Sequence, residues 1–165
     1  MPVSFRSFAI SAVLCLAIIT ATATAAEAEA IRSFEANTME RLVDTQKGRP
    51  FVLVVWSLDC EYCQASLKNL AEEKRKRKDL HVVTLSTDPL GDPQAVALMK
   101  KKLESTGMSS NAWAYGDASP EQLRYAIDPK WHGEMPRSYW FNARGERVAY
   151  SGVITAEIIA KLAAR

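Results

Sequence analysis

An α/β domain with a mixed central sheet is the fold class this sequence predicts, and three observations carry it. The apolar run Phe51-Val52-Leu53-Val54-Val55-Trp56 has the length and β-branched content of a buried strand. Just after it comes Cys60-Glu61-Tyr62-Cys63, two cysteines at i and i+3 where the pattern turns helical. Farther along, strand-like and helical segments alternate, then give way to two strands joined by a short loop and a last helix.

The elements begin after a segment that does not belong to the fold. Residues 1–25 read as a secretory signal peptide: Arg6 precedes the apolar stretch 8–19, and Ala23-Thr24-Ala25 offers small residues for cleavage. A retained anchor needs roughly 18–20 uninterrupted apolar residues, and Thr20, Thr22 and Thr24 cut this run short. Cys15 lies in the apolar region, but Leu14 before it is too bulky for lipidation. The expected mature domain is therefore residues 26–165, exported to the periplasm, with Cys60 and Cys63 left of the three cysteines.

Within that domain, Ser33 or Thr38 is the candidate cap of a helix running to about Asp44, which Gly48-Arg49-Pro50 breaks. The first strand follows, then a helix from Cys60 to about Arg77 with Leu67, Leu70 and Ala71 on one face. Residues 80–86 read as a buried strand that Thr87-Asp88-Pro89 ends. Asp92-Pro93 starts a helix to about Ser105, residues 111–115 form a short strand, and Ser119-Pro120-Glu121 opens another helix. Residues 138–141 and 147–151 make a hairpin around Gly145, and Thr155 caps a closing helix over 156–164. No repeat or linker marks a second domain.

Roughly 140 residues can bury about two-thirds of their unfolded surface without disulfide staples, which leaves the cysteines for chemistry. The net charge of +2 drops to +1 with Arg6 gone, which excludes nucleic acid as the natural partner. The one basic run, residues 74–78, suits the C-terminal turns of the cysteine helix, with docking to an acidic partner or anionic lipid as the second reading.

A strand that delivers two cysteines to the first turn of a helix predicts a dithiol-disulfide redox site. At the helix N-terminus the dipole and free backbone N–H groups favour the Cys60 thiolate, so Cys60 is the expected attacking sulfur and Cys63 the resolving one. Asp59 and Glu61 flank Cys60. Two carboxylates about 5–8 Å away oppose the thiolate by roughly 1–2 kcal/mol, against about 0.3–1 kcal/mol from the helix end. The balance predicts a reductant, nearer the roughly −270 mV of thioredoxin than the roughly −120 mV of a strong oxidant.

The order strand, C-x-x-C, helix, later proline, hairpin, glycine and helix resembles the thioredoxin fold, and within it the exported TlpA-like thiol-disulfide oxidoreductases that include cytochrome c maturation reductases. The residues that carry the resemblance are Trp56 four places before Cys60, Ser86-Thr87-Asp88, Gly133-Glu134-Met135-Pro136 and Gly152. The resemblance implies an inserted helix and strand between about Pro89 and Ser119. It also implies a cis Pro136 facing the cysteines as part of the catalytic set. Trp56, Tyr62, Met135 and Trp131 are then the expected contacts with a partner peptide, with Tyr62 as a cover for Cys63 and Trp131 as a core residue the alternatives. Glu61 and Glu134 are the candidates for proton transfer, with solvated surface charges the alternative. Implied partners are a protein disulfide, such as apocytochrome c or a copper-site protein, and a membrane thiol reductant; no cofactor and no metal is implied.

The chain departs from the family at Asp59, where tryptophan is common, and at Val54 and Ser66, where relatives carry an acid. It departs again at Arg137, after the proline. The rival reading is a copper chaperone or copper-site reductase in which Cys60 and Cys63 bind Cu(I) with His132 or Met135. A zinc site matches none of the spacings of Cys60, Cys63, His81 and His132, and the residues around Cys60 lack the peroxide-activating threonine and arginine of peroxiredoxins.

Overall fold

The computed structural model describes residues 30–164, so the segment read as a signal peptide, with Cys15, lies outside the described residues. Six strands and five helices follow in the order β1 (Arg32–Phe34), α1 (Thr38–Asp44), β2 (Phe51–Trp56), α2 (Glu61–Lys76), β3 (Val82–Pro89), α3 (Pro93–Thr106), β4 (Ala112–Tyr115), α4 (Pro120–Ile127), β5 (Arg137–Phe141), β6 (Arg147–Ser151) and α5 (Ala156–Ala163), with a short 3₁₀ turn at Ser109–Asn111. They form one sheet in the order β1-β4-β3-β2-β5-β6. The first four of these strands run parallel, while β5 is antiparallel to β2 and β6 to β5.

β2 is central and buried on both faces, which is why its sequence is an unbroken apolar run rather than an alternating one. Val52, Val54 and Trp56 point to the face covered by α2, α3 and α5, where Leu67, Leu70, Met99, Leu103 and Ile159 pack. Phe51, Leu53 and Val55 point to the other face, covered by α1 and α4 through Leu42, Leu123 and Ile127. Side chains alternate along a strand, so one run supplies two cores.

Helix ends follow the capping chemistry expected of them. The Asp92 carboxylate accepts from the backbone N–H groups of Gln94 and Ala95 at 2.8 and 3.3 Å. Ser119 and Thr155 cap α4 and α5 through the N–H groups of Gln122 and Ile158. Gly107 closes α3 in the left-handed region at φ 66°. The hairpin turns through Gly145 at φ 79°.

Two expectations are corrected at the N-terminus. Ser33 caps no helix; it sits in β1 opposite Ala114 of β4, a three-residue strand too short to show a period in sequence. Thr38 lies inside the first turn of α1, and its hydroxyl accepts from the Glu35 N–H at 2.8 Å instead of capping. β3 also runs past the expected stop, because a bulge between Ser86 and Pro89 lets Pro89 pair with Tyr115. The unit α3–β4 is the expected insertion, and it places β4 between β1 and β3.

Candidate active site

The strand β2 ends at Trp56, and the turn 57–59 carries the chain to Cys60, the N-cap of α2. Cys60 and Cys63 are joined as a disulfide with their Cα atoms 5.1 Å apart. The Cys60 sulfur accepts at 3.1 Å from the Cys63 backbone N–H, which it shares with the Cys60 carbonyl at 3.0 Å, so a donor of the helix end reaches the sulfur expected to carry negative charge. Cys60 is half-buried and Cys63 fully buried, which leaves one sulfur open to a partner and the other screened.

The turn before Cys60 is held through its backbone. The Leu58 N–H donates to the Asp88 carboxylate at 2.9 Å, and the Ser86 hydroxyl donates to the same oxygen at 2.6 Å. From α2, the Gln64 side-chain amide donates to the carbonyls of Ser57 and Leu58 at 3.2 and 3.4 Å. Behind the disulfide, the buried Ser66 hydroxyl donates to the Tyr62 carbonyl at 2.9 Å and accepts from the Ile154 N–H at 3.0 Å. Asn69 donates to the Ile154 carbonyl, so α2 grips both polar groups of one residue in the segment that follows β6.

Pro136 reaches the site from the other side. The pairing of Val55 with Arg137 continues to place Pro136 beside Trp56, and its carbonyl accepts from the Gly152 N–H at 3.0 Å. The Met135–Pro136 bond is cis. Met135 is half-buried and packs, like Cys60, against the apolar cluster that contains Cys63.

Residues 128–136 form the loop that delivers Pro136, and Arg137 organises it. One guanidinium nitrogen donates to Glu134 at 3.0 Å and Ser151 at 2.7 Å, and another to Asp128 at 3.0 Å. Asp128 also accepts from the Lys130 N–H and the Tyr139 hydroxyl, and Arg147 stands 4.0 Å away. Arg137 and Arg147 both lie over the Tyr139 ring, at 5.1 and 5.0 Å. Arg124 donates to the Trp131 carbonyl, and the Trp131 indole N–H donates to the Glu134 carbonyl.

These contacts set the charges of the loop. Burial pushes the Asp128 carboxyl up, but the Lys130 N–H, Arg137, Tyr139 and Arg147 together hold it below its ordinary value. Glu134 behaves alike: burial raises it, while Ser151, Arg137 and the His132 N–H bring it below the ordinary range. Burial is also the main reason the Tyr139 hydroxyl is pushed up to about 12.

Among the expected partner contacts, Tyr62 is 65% exposed beside the disulfide and Met135 borders it. At 0% and 1% exposure Trp56 and Trp131 are core residues on opposite faces of the sheet, closed off by the helices and loop packed on them, which corrects Trp56 as a partner contact and favours the core reading of Trp131 over the rim. Glu134 is exposed, and its carboxylate accepts from Arg137, Ser151 and the His132 N–H. Glu61 is exposed in the first turn of α2. His132 is exposed on the loop, and no three His, Cys, Asp or Glu side chains converge for a metal ion among the described residues. Sequence reasoning missed Asp128, Gln64 and Ser151, and singled out Asp88 only as the end of a strand and part of the family pattern. Only the oddity of Arg137 pointed toward the network.

A parallel core extended by an antiparallel hairpin, with a C-x-x-C disulfide at the end of its central strand, defines the thioredoxin fold. Solved structures bear this out. The chain superposes on a secreted Mycobacterium tuberculosis disulfide oxidoreductase homologous to Escherichia coli DsbE, with TM-score 0.52 and 18% identity over 74% of this chain and 86% of that one. The exposed lipoprotein thioredoxin Etrx1 of Streptococcus pneumoniae gives 0.51 and 20% over 74% and 88%. A DsbF homologue from Corynebacterium diphtheriae gives 0.55 and 15% over 73% of each chain. No family model and no curated protein matches the chain.

Proposed function

We propose that this protein is an exported thiol-disulfide oxidoreductase that reduces protein disulfides outside the inner membrane. The observation that carries the reading is the asymmetric disulfide, with an accessible Cys60 at the N-cap of α2 and a buried Cys63 one turn behind it. In the reduced protein the Cys60 thiolate attacks one sulfur of a substrate disulfide, and the other substrate sulfur leaves and takes a proton. Cys63, deprotonated in its turn, attacks the Cys60 sulfur of the mixed disulfide and expels the second substrate sulfur, which is protonated to a thiol. Two electrons have then passed to the substrate, and the Cys60–Cys63 disulfide awaits a membrane dithiol that is oxidised to restore it. Glu61, exposed beside Cys60, is the side chain we assign to proton exchange.

Reduction is favoured over oxidation because Asp59 and Glu61 are both exposed and enter no ion pair among the described residues, so no cation offsets their effect on the Cys60 thiolate and the helix end alone works against them. Secretion of the Mycobacterium tuberculosis neighbour and exposure of the Streptococcus pneumoniae lipoprotein support a location outside the cytoplasm. Apocytochrome c or a copper-site protein is the substrate class the resemblance offers.

The test is trapping by Cys63→Ser together with a reduction potential. Cys63→Ser should accumulate a mixed disulfide through Cys60, and Cys60→Ser should accumulate none. In a glutathione or dithiothreitol series the wild type should show a potential below about −200 mV. A value above about −150 mV would reverse the direction to oxidation or isomerisation, and a protein that traps no partner in either variant would not be an oxidoreductase.

A further inference from the structure

We infer that Asp88 is a positioning residue for Cys60: its carboxylate fixes the turn that presents the sulfur and its charge opposes thiolate formation there. The inference rests on the oxidoreductase reading and deepens it at the same site. The parallel pairing of Trp56 with Ser86 continues past the strand ends and brings residue 88 level with residue 58. There the Asp88 oxygen receives the Leu58 N–H and the Ser86 hydroxyl, at 2.9 and 2.6 Å. A carboxylate accepting both is a stronger and more directional anchor than a neutral oxygen.

Ser86 is fully buried and has its position fixed in turn, since its hydroxyl oxygen accepts from the Asp88 N–H at 3.2 Å. Gln64 closes the turn from the opposite side through the Ser57 and Leu58 carbonyls. Both backbone polar groups of Leu58 are therefore committed, two residues before the reactive sulfur. Asp88 is half-buried, enters no ion pair among the described residues and hangs from β3 rather than from the cysteine helix. It thus adds a third negative charge near Cys60, after Asp59 and Glu61. Unlike those two, its position is set by hydrogen bonds. With no buried acid at Val54 or Ser66, Asp88 is the acid that the fold builds in next to the turn.

Three variants separate the two effects. Asp88→Asn keeps an oxygen for Leu58 and removes the charge, Ser86→Ala keeps the charge and loosens the anchor, and Asp88→Ala removes both. The readouts are the Cys60 thiol pKa, from the pH dependence of alkylation by iodoacetamide, and the equilibrium and rate of exchange with glutathione. Asp88→Asn should lower the thiol pKa by about half a unit and, at a pH above that pKa, shift the equilibrium about threefold toward the dithiol. Ser86→Ala should slow exchange with the thiol pKa unchanged, and Asp88→Ala should show the pKa drop together with exchange slowed about tenfold. Wild-type pKa and rate in Asp88→Asn and Ser86→Ala overturn the inference, whatever Asp88→Ala does to folding. Because alkylation needs no turnover, the pKa comparison decides about Asp88 even in a protein that fails to exchange with glutathione, a failure that would count against the oxidoreductase reading alone.

Discussion

Two segments border the disulfide, and they are fastened in different ways. The turn 57–59 is held through backbone amides and carbonyls, by Gln64 and Asp88. The loop 128–136 is held through side-chain ions, with Arg137 at the hub and Asp128 and Glu134 around it. The Gln64 bonds to backbone carbonyls depend little on the charge around them, and Asp88 adds a single charge-assisted bond. An ion cluster ties stability to pH and to the presence of every member. The segment that presents Cys60 thus rests on one carboxylate and one amide, both meeting its backbone, while the segment that delivers Pro136 rests on a cluster of ions.

The largest effect expected is at the hub. Arg137→Met would leave Asp128 buried without its main counter-ion and should cost about 3 kcal/mol in urea unfolding, near the low end for a broken buried pair. Arg137 is 13% exposed at its side chain and Asp128 12%, so solvent offers little relief. Arg137→Lys should recover less than half, because one ammonium cannot span Asp128, Glu134 and Ser151 together. A loss below about 1 kcal/mol in Arg137→Met would mean the loop is held by apolar packing, and the contrast between the two segments would disappear.

On the cysteine side the comparable break is Ser66→Ala. The Ile154 N–H would lose its acceptor in a fully buried place, at a cost of roughly 1–3 kcal/mol and without pH dependence between 5 and 8. A pH-dependent loss would show that ionic contacts reach this side as well.

Most of the fold was legible in sequence because its elements are punctuated: Pro93 after Asp92, Pro120 after Ser119, Gly145 in the hairpin. β1 was not, since three residues carry no period and its place is decided by β4, which comes some 80 residues later in the chain. At the site the contrast is sharper. The cysteines and Pro136 announce themselves through spacing and kinship to a pattern. Asp88 and Asp128 do not, because a carboxylate that accepts a distant N–H or guanidinium looks in sequence like any acid in a turn. Trp56 and Trp131 erred in the opposite sense: proximity in sequence to the cysteines and the proline suggested a surface role, and packing of helices and loop made them core.

Acid should separate the two segments next. The folded-state pKa of Asp128 is depressed, so its contribution to stability is complete above the unfolded value near 3.9 and is lost as pH falls through the folded value. The gap in urea midpoint between wild type and Asp128→Asn should be constant from pH 7 to about 5 and close below pH 4. A gap that persists undiminished at pH 3 would show that shape, not charge, is what Asp128 supplies to the loop.

The smallest effect on stability, and the most informative about function, is expected at Tyr62. Its ring is 65% exposed at the mouth of the site, so Tyr62→Ala should change folding stability by less than about 0.5 kcal/mol. An aromatic left in water two residues from Cys60 has no reason in folding; its apolar area is available to a partner. Exchange with a disulfide-bonded peptide should therefore slow several-fold in Tyr62→Ala while alkylation of the reduced protein by iodoacetamide, which needs no contact with the ring, stays at the wild-type rate. Equal slowing with both would place the effect on the sulfur itself, and no slowing with either would leave the recognition of partners to Met135 and the loop that Arg137 holds.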